Sequence, residues 1–368
     1  MTVPAERDVV LEVEDLNVSF PTEDGLVRAV RGVSYEIRRG EVLGIVGESG
    51  SGKSVTSLAV MGLLPRSARI SGAVRFEGQQ LLGADDKTMS RVRGAKIAMI
   101  FQDPMTSLNP VYAVGDQIAE GIRAHNHIDK HEARDRAVRL LEIVGIPNAS
   151  ERVDNYPHEF SGGMRQRAVI AIAMANYPDV IIADEPTTAL DVTVQAQVLE
   201  ALGDARREAG AAMVLITHDL GVVAGQADRV LVMYAGRPVE IGTVDEIYYE
   251  PRMPYTLGLL GSLPRLDVER SREHKLTPIV GAPPSLIALP PGCPFSPRCP
   301  LSRPICDEKE PELRPTTRPG HVAACHFSHE LEGVRPGDVF AATAVDDQVL
   351  EEVGALPAAD ATGDEVEA

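Results

Sequence analysis

Apolar and polar positions alternate with a period of two over residues 9–13 and again over residues 33–37, with turn formers at residues 22–25 between them. This pattern predicts a strand meander ahead of the core. Residues 42–46 read differently, as an unbroken apolar run too short for a helix, followed by a glycine-rich turn and then by helical periodicity over residues 54–64 that Pro65 ends. That order predicts a strand, loop and helix unit. Over residues 103–160 the pattern turns helical and charged, most clearly over residues 130–144, and predicts a helical insertion at about 103–165. Residues 180–183 and 213–217 are again short apolar runs bounded by polar residues, as expected of buried parallel strands separated by helices. Nothing repeats, so a single module is expected. The implied class is α/β: a mixed sheet flanked by helices, with an antiparallel β subdomain and a helical insertion. Past about Glu250 the chain becomes rich in proline and loop formers, which predicts a small loop-rich C-terminal domain. The expected division is 1–250, 251–334 and a solvated acidic tail, 335–368.

Composition narrows the class. The 368 residues are 44% hydrophobic, enough for a sizeable core. The longest uncharged run, residues 276–297, carries seven prolines, which a membrane-spanning helix does not absorb. Glu6, Arg7 and Asp8 stand where a signal peptide needs an apolar run. The expectation is a protein that stays in the cytosol. A net charge of −18 counts against a nucleic-acid surface, since phosphate backbones are bound by clustered Lys and Arg. Residues 335–368 hold nine acidic residues and one basic, and so carry −8 of that charge. The four cysteines all fall within 33 residues, and a cytosolic chain does not hold them as structural disulfides.

Candidate chemistry begins at the glycine-rich turn. Gly47, Glu48, Ser49, Gly50, Ser51, Gly52, Lys53 and Ser54 fit G-x-x-x-x-G-K-[ST], with a strand before and a helix after. In such a loop the glycines let backbone N–H groups wrap a phosphate chain, Lys53 reaches the β and γ phosphates, and Ser54 ligates magnesium. Asp184 and Glu185 end the second apolar run and so stand at the carboxyl edge of a parallel sheet, where ligands bind. Asp184 is assigned to magnesium through water, and Glu185 to polarising the attacking water. His218 follows the next strand, from where it can reach the γ phosphate.

Phe160, Ser161, Gly162, Gly163, Met164, Arg165, Gln166 and Arg167 resemble the signature of the ABC ATPases, a Ser-Gly-Gly turn opening a helix. Gln102 resembles the Q-loop residue that also meets magnesium. Ala189, Leu190 and Asp191 resemble the D-loop, and His218 the switch histidine. Bare amides at a helix start make a second anion cradle, and the resemblance implies that two subunits meet head to tail, each completing the other's ATP site. Phe20 sits where the family places an aromatic that stacks on adenine; an ordinary core aromatic is the competing reading. Residues 102–110, then Pro254, Tyr255 and Thr256 with Leu259 and Leu260, then the cysteine segment, resemble the ATP-binding subunits of oligopeptide and dipeptide permeases.

The resemblance runs from about Leu11 to about Phe327. It implies hydrolysis of ATP with Mg²⁺, a second and distinct ATPase subunit, two transmembrane permease subunits, an extracytoplasmic peptide-binding protein, and a peripheral place on the cytoplasmic face of the membrane. ABC ATPases that act on DNA ends or ribosomes need a long coiled-coil insertion or two modules, and the chain shows neither. A plain nucleotide kinase or GTPase has no use for Ser161, Gly162 and Gly163.

Cys293, Cys299, Cys306 and Cys325 are separated by five, six and eighteen residues, wider than the pairs typical of structural zinc. The permease resemblance implies a [4Fe-4S] cluster on these four. Zinc, with His321 or His326 as substitute ligands, is the alternative, and four scattered buried thiols the plainest reading. A cluster here is expected to fold the C-terminal segment and to take no part in the ATP chemistry.

Overall fold

The computed structural model describes residues 8–188, 190–263 and 278–340. The acidic tail past residue 340, the first seven residues, which bear on the expected lack of a leader, and Ala189 lie outside the described residues.

Two long strands, β1 (Val9–Thr22) and β2 (Gly25–Arg38), pair antiparallel around a turn at Glu23 and Asp24. They run through the whole interval in which only two short pieces are predicted. Register shifts between Val13 and Leu16 and between Leu16 and Val18 break the alternation in the sequence while keeping Leu16 and Val18 buried. Next comes β3 (Val42–Val46), buried at all five positions, which is why it reads as one apolar run. The helix that follows, α1 (Lys53–Val60), is shorter than predicted, because Gly62 takes a left-handed φ of 61° and ends it before Pro65. With β4 (Arg69–Phe76) and β5 (Gln79–Gln80) the hairpin becomes a four-stranded sheet of order β2-β1-β4-β5.

After α2 (Asp86–Val92) and β6 (Ile97–Ile100) the chain enters the helical insertion. It comprises α3 (Pro104–Ser107), α4 (Val114–His125), α5 (Lys130–Ile143), α6 (Ala149–Arg152) and α7 (Gly162–Ala173). Ile118 and Ile122 on α4 meet Ala137, Leu140 and Leu141 on α5 at helical spacing, in the same core as Ile100 and Ala183 of the sheet. Then β7 (Val180–Asp184), α8 (Val192–Ala209), β8 (Ala212–Thr217), α9 (Leu220–Ala224) and β9 (Arg229–Tyr234) complete a parallel set in the spatial order β9-β3-β8-β7-β6. β10 (Arg237–Thr243) turns back on β9 through Ala235 and Gly236, both at positive φ, as a tight hairpin requires.

Among the described residues the remaining α-helices and strands are α10 (Val244–Tyr249), α11 (Pro254–Gly261), α12 (Pro304–Glu308), β11 (Arg314–Pro315), β12 (Val322–Ala323) and α13 (Pro336–Val339). This segment is welded to the sheet. β12 pairs antiparallel with β10, and β11 with β12, so the large sheet has eight strands in the order β11-β12-β10-β9-β3-β8-β7-β6. Under that junction Glu240 and His321, both fully buried, share a 2.9 Å hydrogen bond, and the backbone N–H of Arg252 donates to the same Glu240 oxygen.

Removing the Glu240 carboxylate would orphan the His321 ring and the Arg252 N–H in a buried site. Glu240→Ala should therefore destabilise the fold by about 1–3 kcal/mol for each orphaned group, read as a lower midpoint in urea unfolding. An unchanged midpoint would show that the buried pair contributes nothing to the junction.

Candidate functional site

Four neighbouring parallel strands, β3, β8, β7 and β6, end at the same edge of the sheet. Just past those ends lie residues 47–54, then His218, then Glu185 with Asp184 as the last residue of its strand, and Gln102. Residues 48–55 line one cavity of about 640 Å³ together with Gln102, Glu185, His218 and Leu259. That volume lies in the range of small-molecule sites.

The loop after β3 needs its glycines. Gly47 has a φ of 152° and Gly52 one of 99°, and a Cβ would lie 2.3 Å from the Met233 carbonyl oxygen at the first and 2.4 Å from that of Ala29 at the second. Any larger residue must move the backbone of a neighbouring strand. Lys53 is buried beneath the loop, its Nζ donating to the carbonyls of Gly47 at 2.7 Å and Glu48 at 3.0 Å. Burial lowers its pKa, against the pull of Glu185, Asp184 and Glu48. The Ser51 hydroxyl is buried without a hydrogen-bond partner among the described residues. Ser54 Oγ donates to Asp184 Oδ1 at 2.9 Å. Burial holds the Asp184 carboxyl above the usual range, with the Ser54 hydrogen bond working against it. An orphaned hydroxyl and a buried cation within a glycine-rich loop that opens a helix fit a phosphate chain, and the hard oxygens of Ser54 and Asp184 fit magnesium.

Glu185 is the strained residue of the site, with a φ of 48° in the left-handed region that non-glycine residues seldom adopt. Its N–H donates to Ile216 of β8 at 2.9 Å. Its Oε2 accepts from Thr188 Oγ1 at 2.8 Å and Gln102 Nε2 at 3.2 Å, and lies 3.3 Å from His218 Nδ1. Two sequence-predicted residues, Gln102 and His218, thus converge on one oxygen of a third, Glu185, and the three follow the ends of three different strands. Thr188 and the strained backbone went unread in the sequence, because nothing local marks them.

The other predicted residues lie elsewhere. Ser161 caps α7 by accepting from Met164 N–H at 3.3 Å and, like Gly162, is exposed. Gly163 is pressed against α8, where a Cβ would stand 2.4 Å from Val194 Cγ1. Asp191 caps α8 through the Val194 N–H at 3.0 Å. Phe20 is half-buried against the core beneath the antiparallel sheet. None of these five lines the phosphate-loop cavity.

The four cysteines do come together. Cys293, Cys299, Cys306 and Cys325, all free thiols, line a second cavity of about 270 Å³ walled by Met253, Phe295 and Leu331. Burial raises the Cys293 thiol and pushes Cys299 up to about 11 and Cys325 up to about 12. Thiols so placed are poor nucleophiles, and a bound metal would reverse that by stabilising thiolates. Among the described residues no three His, Cys, Asp or Glu side chains are grouped closely enough to hold a metal ion. His321 is engaged with Glu240 and does not line this cavity, whereas His326 does, with its Nε2 2.8 Å from the Lys309 carbonyl. Four thiols facing one cavity are a donor set of the kind that soft metals and iron–sulfur groups take.

The cysteine segment also touches the first site, about which its place in the sequence says nothing. Arg298, beside Cys299, forms a two-pronged ion pair with Glu48 of the glycine-rich loop, and the Tyr255 hydroxyl accepts from the Glu48 N–H at 2.8 Å. Separation in sequence hides this contact.

The fold and the first site together define an ATP-binding cassette. The family described as ABC transporter matches residues 30–188, and that described as oligopeptide/dipeptide transporter, C-terminal region, matches residues 239–306. The chain is 55% identical to the dipeptide transport ATP-binding protein DppD of Bacillus subtilis, over 82% of this chain and 90% of that one. It is 51% identical to the oligopeptide transport ATP-binding protein OppD of Escherichia coli, over 88% and 96%. The OppD of Mycobacterium tuberculosis is 56% identical over 90% of this chain, which spans only 54% of that longer relative. Among solved structures, the dimeric ABC transporter cassette MJ0796 superposes with a TM-score of 0.57 at 26% identity, over 64% of this chain and 98% of that one. The chain belongs to the ABC transporter ATPases, in the branch of oligopeptide and dipeptide transport ATP-binding proteins.

With Glu185 as the base, Glu185→Gln should leave ATP binding intact while lowering turnover by roughly 10²- to 10⁴-fold. Single-turnover hydrolysis with the partner's site disabled checks this, and an unchanged rate would remove the role.

Proposed function

We propose that the chain is one of two ATPase subunits that power an ABC importer of dipeptides, oligopeptides or related small molecules across the cytoplasmic membrane. The observation that carries this reading is a half-complete site: the phosphate loop, Gln102, Glu185 and His218 face one cavity, while the exposed cradle of Ser161 and Gly162 faces none of it. A second subunit set head to tail would close each cavity with the other's cradle. The branch favours a distinct homologue as that partner.

In this reading Lys53 and the loop amides hold the triphosphate, and Ser54 and Asp184, with Gln102, hold magnesium. Glu185 takes the proton of the attacking water, and His218 and Thr188 orient its carboxylate. Asp191 belongs to the subunit contact, and Phe20 to the adenine end. Closing and reopening of the dimer drives two transmembrane permease subunits, fed by an extracytoplasmic peptide-binding protein. Phe101, Met105, Val111 and Tyr112, all exposed, follow one another around Gln102 and the start of the insertion, which suits a permease contact. Among the described residues no helix is long and apolar enough to cross a membrane. A peripheral place on the cytoplasmic face fits that, and the acidic composition favours no nucleic-acid partner.

Cys293, Cys299, Cys306 and Cys325 would hold a [4Fe-4S] cluster that ties the loops of residues 278–340 together, with zinc as the alternative ion. The chemistry it would supply is structural, four metal–thiolate bonds among loops with little secondary structure of their own.

Uptake of a labelled peptide panel by cells with and without the chain tests the transport reading; uptake that does not depend on the chain would refute it. Gln102→Ala should lower uptake more than it lowers hydrolysis, so that uptake per ATP falls, and uptake that stays proportional to turnover would count against the coupling role. Anaerobically purified protein should be brown, with about four iron and four acid-labile sulfide per chain. Stoichiometric zinc in that preparation would replace the cluster with the alternative.

A further inference from the structure

Arg298 lies 250 residues from Glu48 in the chain, and its guanidinium rests on the phosphate loop. Nη1 and Nη2 each meet one Glu48 carboxylate oxygen, at 2.7 and 2.8 Å, and Nη1 also donates to the Tyr234 hydroxyl at 3.2 Å. Nε donates to the Val280 carbonyl at 3.3 Å. The rings of Tyr234 and Phe295 lie 5.9 and 6.0 Å from the guanidinium carbon. With Tyr255 they form an aromatic cluster whose centroids are 4.5 to 5.4 Å apart. The Arg298 side chain is only 5% exposed. Glu48 is thus gripped twice by residues beyond the sheet, through its carboxylate by Arg298 and through its N–H by Tyr255.

The position of Glu48 makes that grip consequential. It follows Gly47 directly, in a loop whose amides must face phosphate, and an uncompensated carboxylate there repels the ligand. Its field already reaches Lys53. Its backbone carbonyl, with that of Gly47, also holds Lys53 Nζ, so any shift of Glu48 displaces the lysine. A bidentate arginine answers both problems, cancelling the charge and fixing the geometry, which a lysine's point charge does less well.

We propose that Arg298, supported by Tyr255, is a positioning residue of the ATP site: it neutralises Glu48 and holds the loop from Gly47 to Lys53 in its phosphate-binding shape. ATP affinity then depends on the segment that carries the cysteines. The inference rests on the reading of this cavity as the ATP site and holds whatever the cysteine cavity binds.

The test is equilibrium titration of a fluorescent ATP analogue with magnesium onto the full chain, as wild type, Arg298→Ala, Glu48→Gln and the double variant, with thermal unfolding as the folding control. Arg298→Ala should weaken binding on the order of 10-fold or more, because it strands a charge beside the phosphates. The double variant should recover most of that loss, since the stranded carboxylate is gone. In the assembled transporter Arg298→Ala should raise KM more than it lowers kcat. Affinity of a folded Arg298→Ala within about twofold of wild type, or a double variant no tighter than Arg298→Ala, overturns the proposal. Should Arg298→Ala not fold, Arg298→Lys carries the test: it should bind ATP measurably more weakly than wild type, and equal affinity overturns the positioning role. A wild type that does not bind ATP would overturn the ATP-site reading itself.

Discussion

Everything chemical in this protein hangs from the parallel pairing of β3 between β8 and β9. β3 is buried on both faces, so its register is set by packing from each side, and a slip would point the loop after Val46 away from the ends of β7 and β6. Because the strands run parallel, their carboxyl ends share one edge. A phosphate loop, an acidic pair, a glutamine and a histidine drawn from a span of about 170 residues thereby meet within hydrogen-bond reach. The two glycines that press on Met233 and Ala29 belong to the same constraint, since they let the loop close against β9 and β2.

The site holds its charges under tension. Lys53 and Asp184 are both buried, and burial disfavours the charged form of each. Neither forms an ion pair among the described residues: the lysine donates to carbonyls and the aspartate accepts a hydroxyl. Such an arrangement is poised for a ligand that brings both signs, as a metal-bound triphosphate does. The left-handed backbone at Glu185 is a comparable expense, kept in place by two backbone and three side-chain contacts.

The C-terminal segment extends this logic beyond the cassette. It has little secondary structure, yet it adds strands to the sheet, buries Glu240 and His321 at the junction, and sends Arg298 onto the phosphate loop. Loops with so little internal pairing need fixed points, and the four-cysteine cavity lies on the same wall as Phe295, which backs Arg298. Cysteine cavity, aromatic cluster and phosphate loop are therefore neighbours in one packed unit.

Residues that carry chemistry through local spacing were legible in the sequence. The loop from Gly47 to Ser54, the pair Asp184 and Glu185 at the end of an apolar run, and the clustered cysteines each declare themselves within a few tens of residues, because strand burial and turn chemistry act over that range. The long β1–β2 hairpin was only half legible, since its register shifts disrupt the two-residue period that marks a strand. Tertiary structure alone decided which oxygen Gln102, Thr188 and His218 share, that His321 is spent on Glu240, and that Glu48 answers to Arg298. Those contacts join residues up to 250 positions apart, and side-chain pairing over such a distance leaves no periodicity, spacing or composition for a single sequence to display.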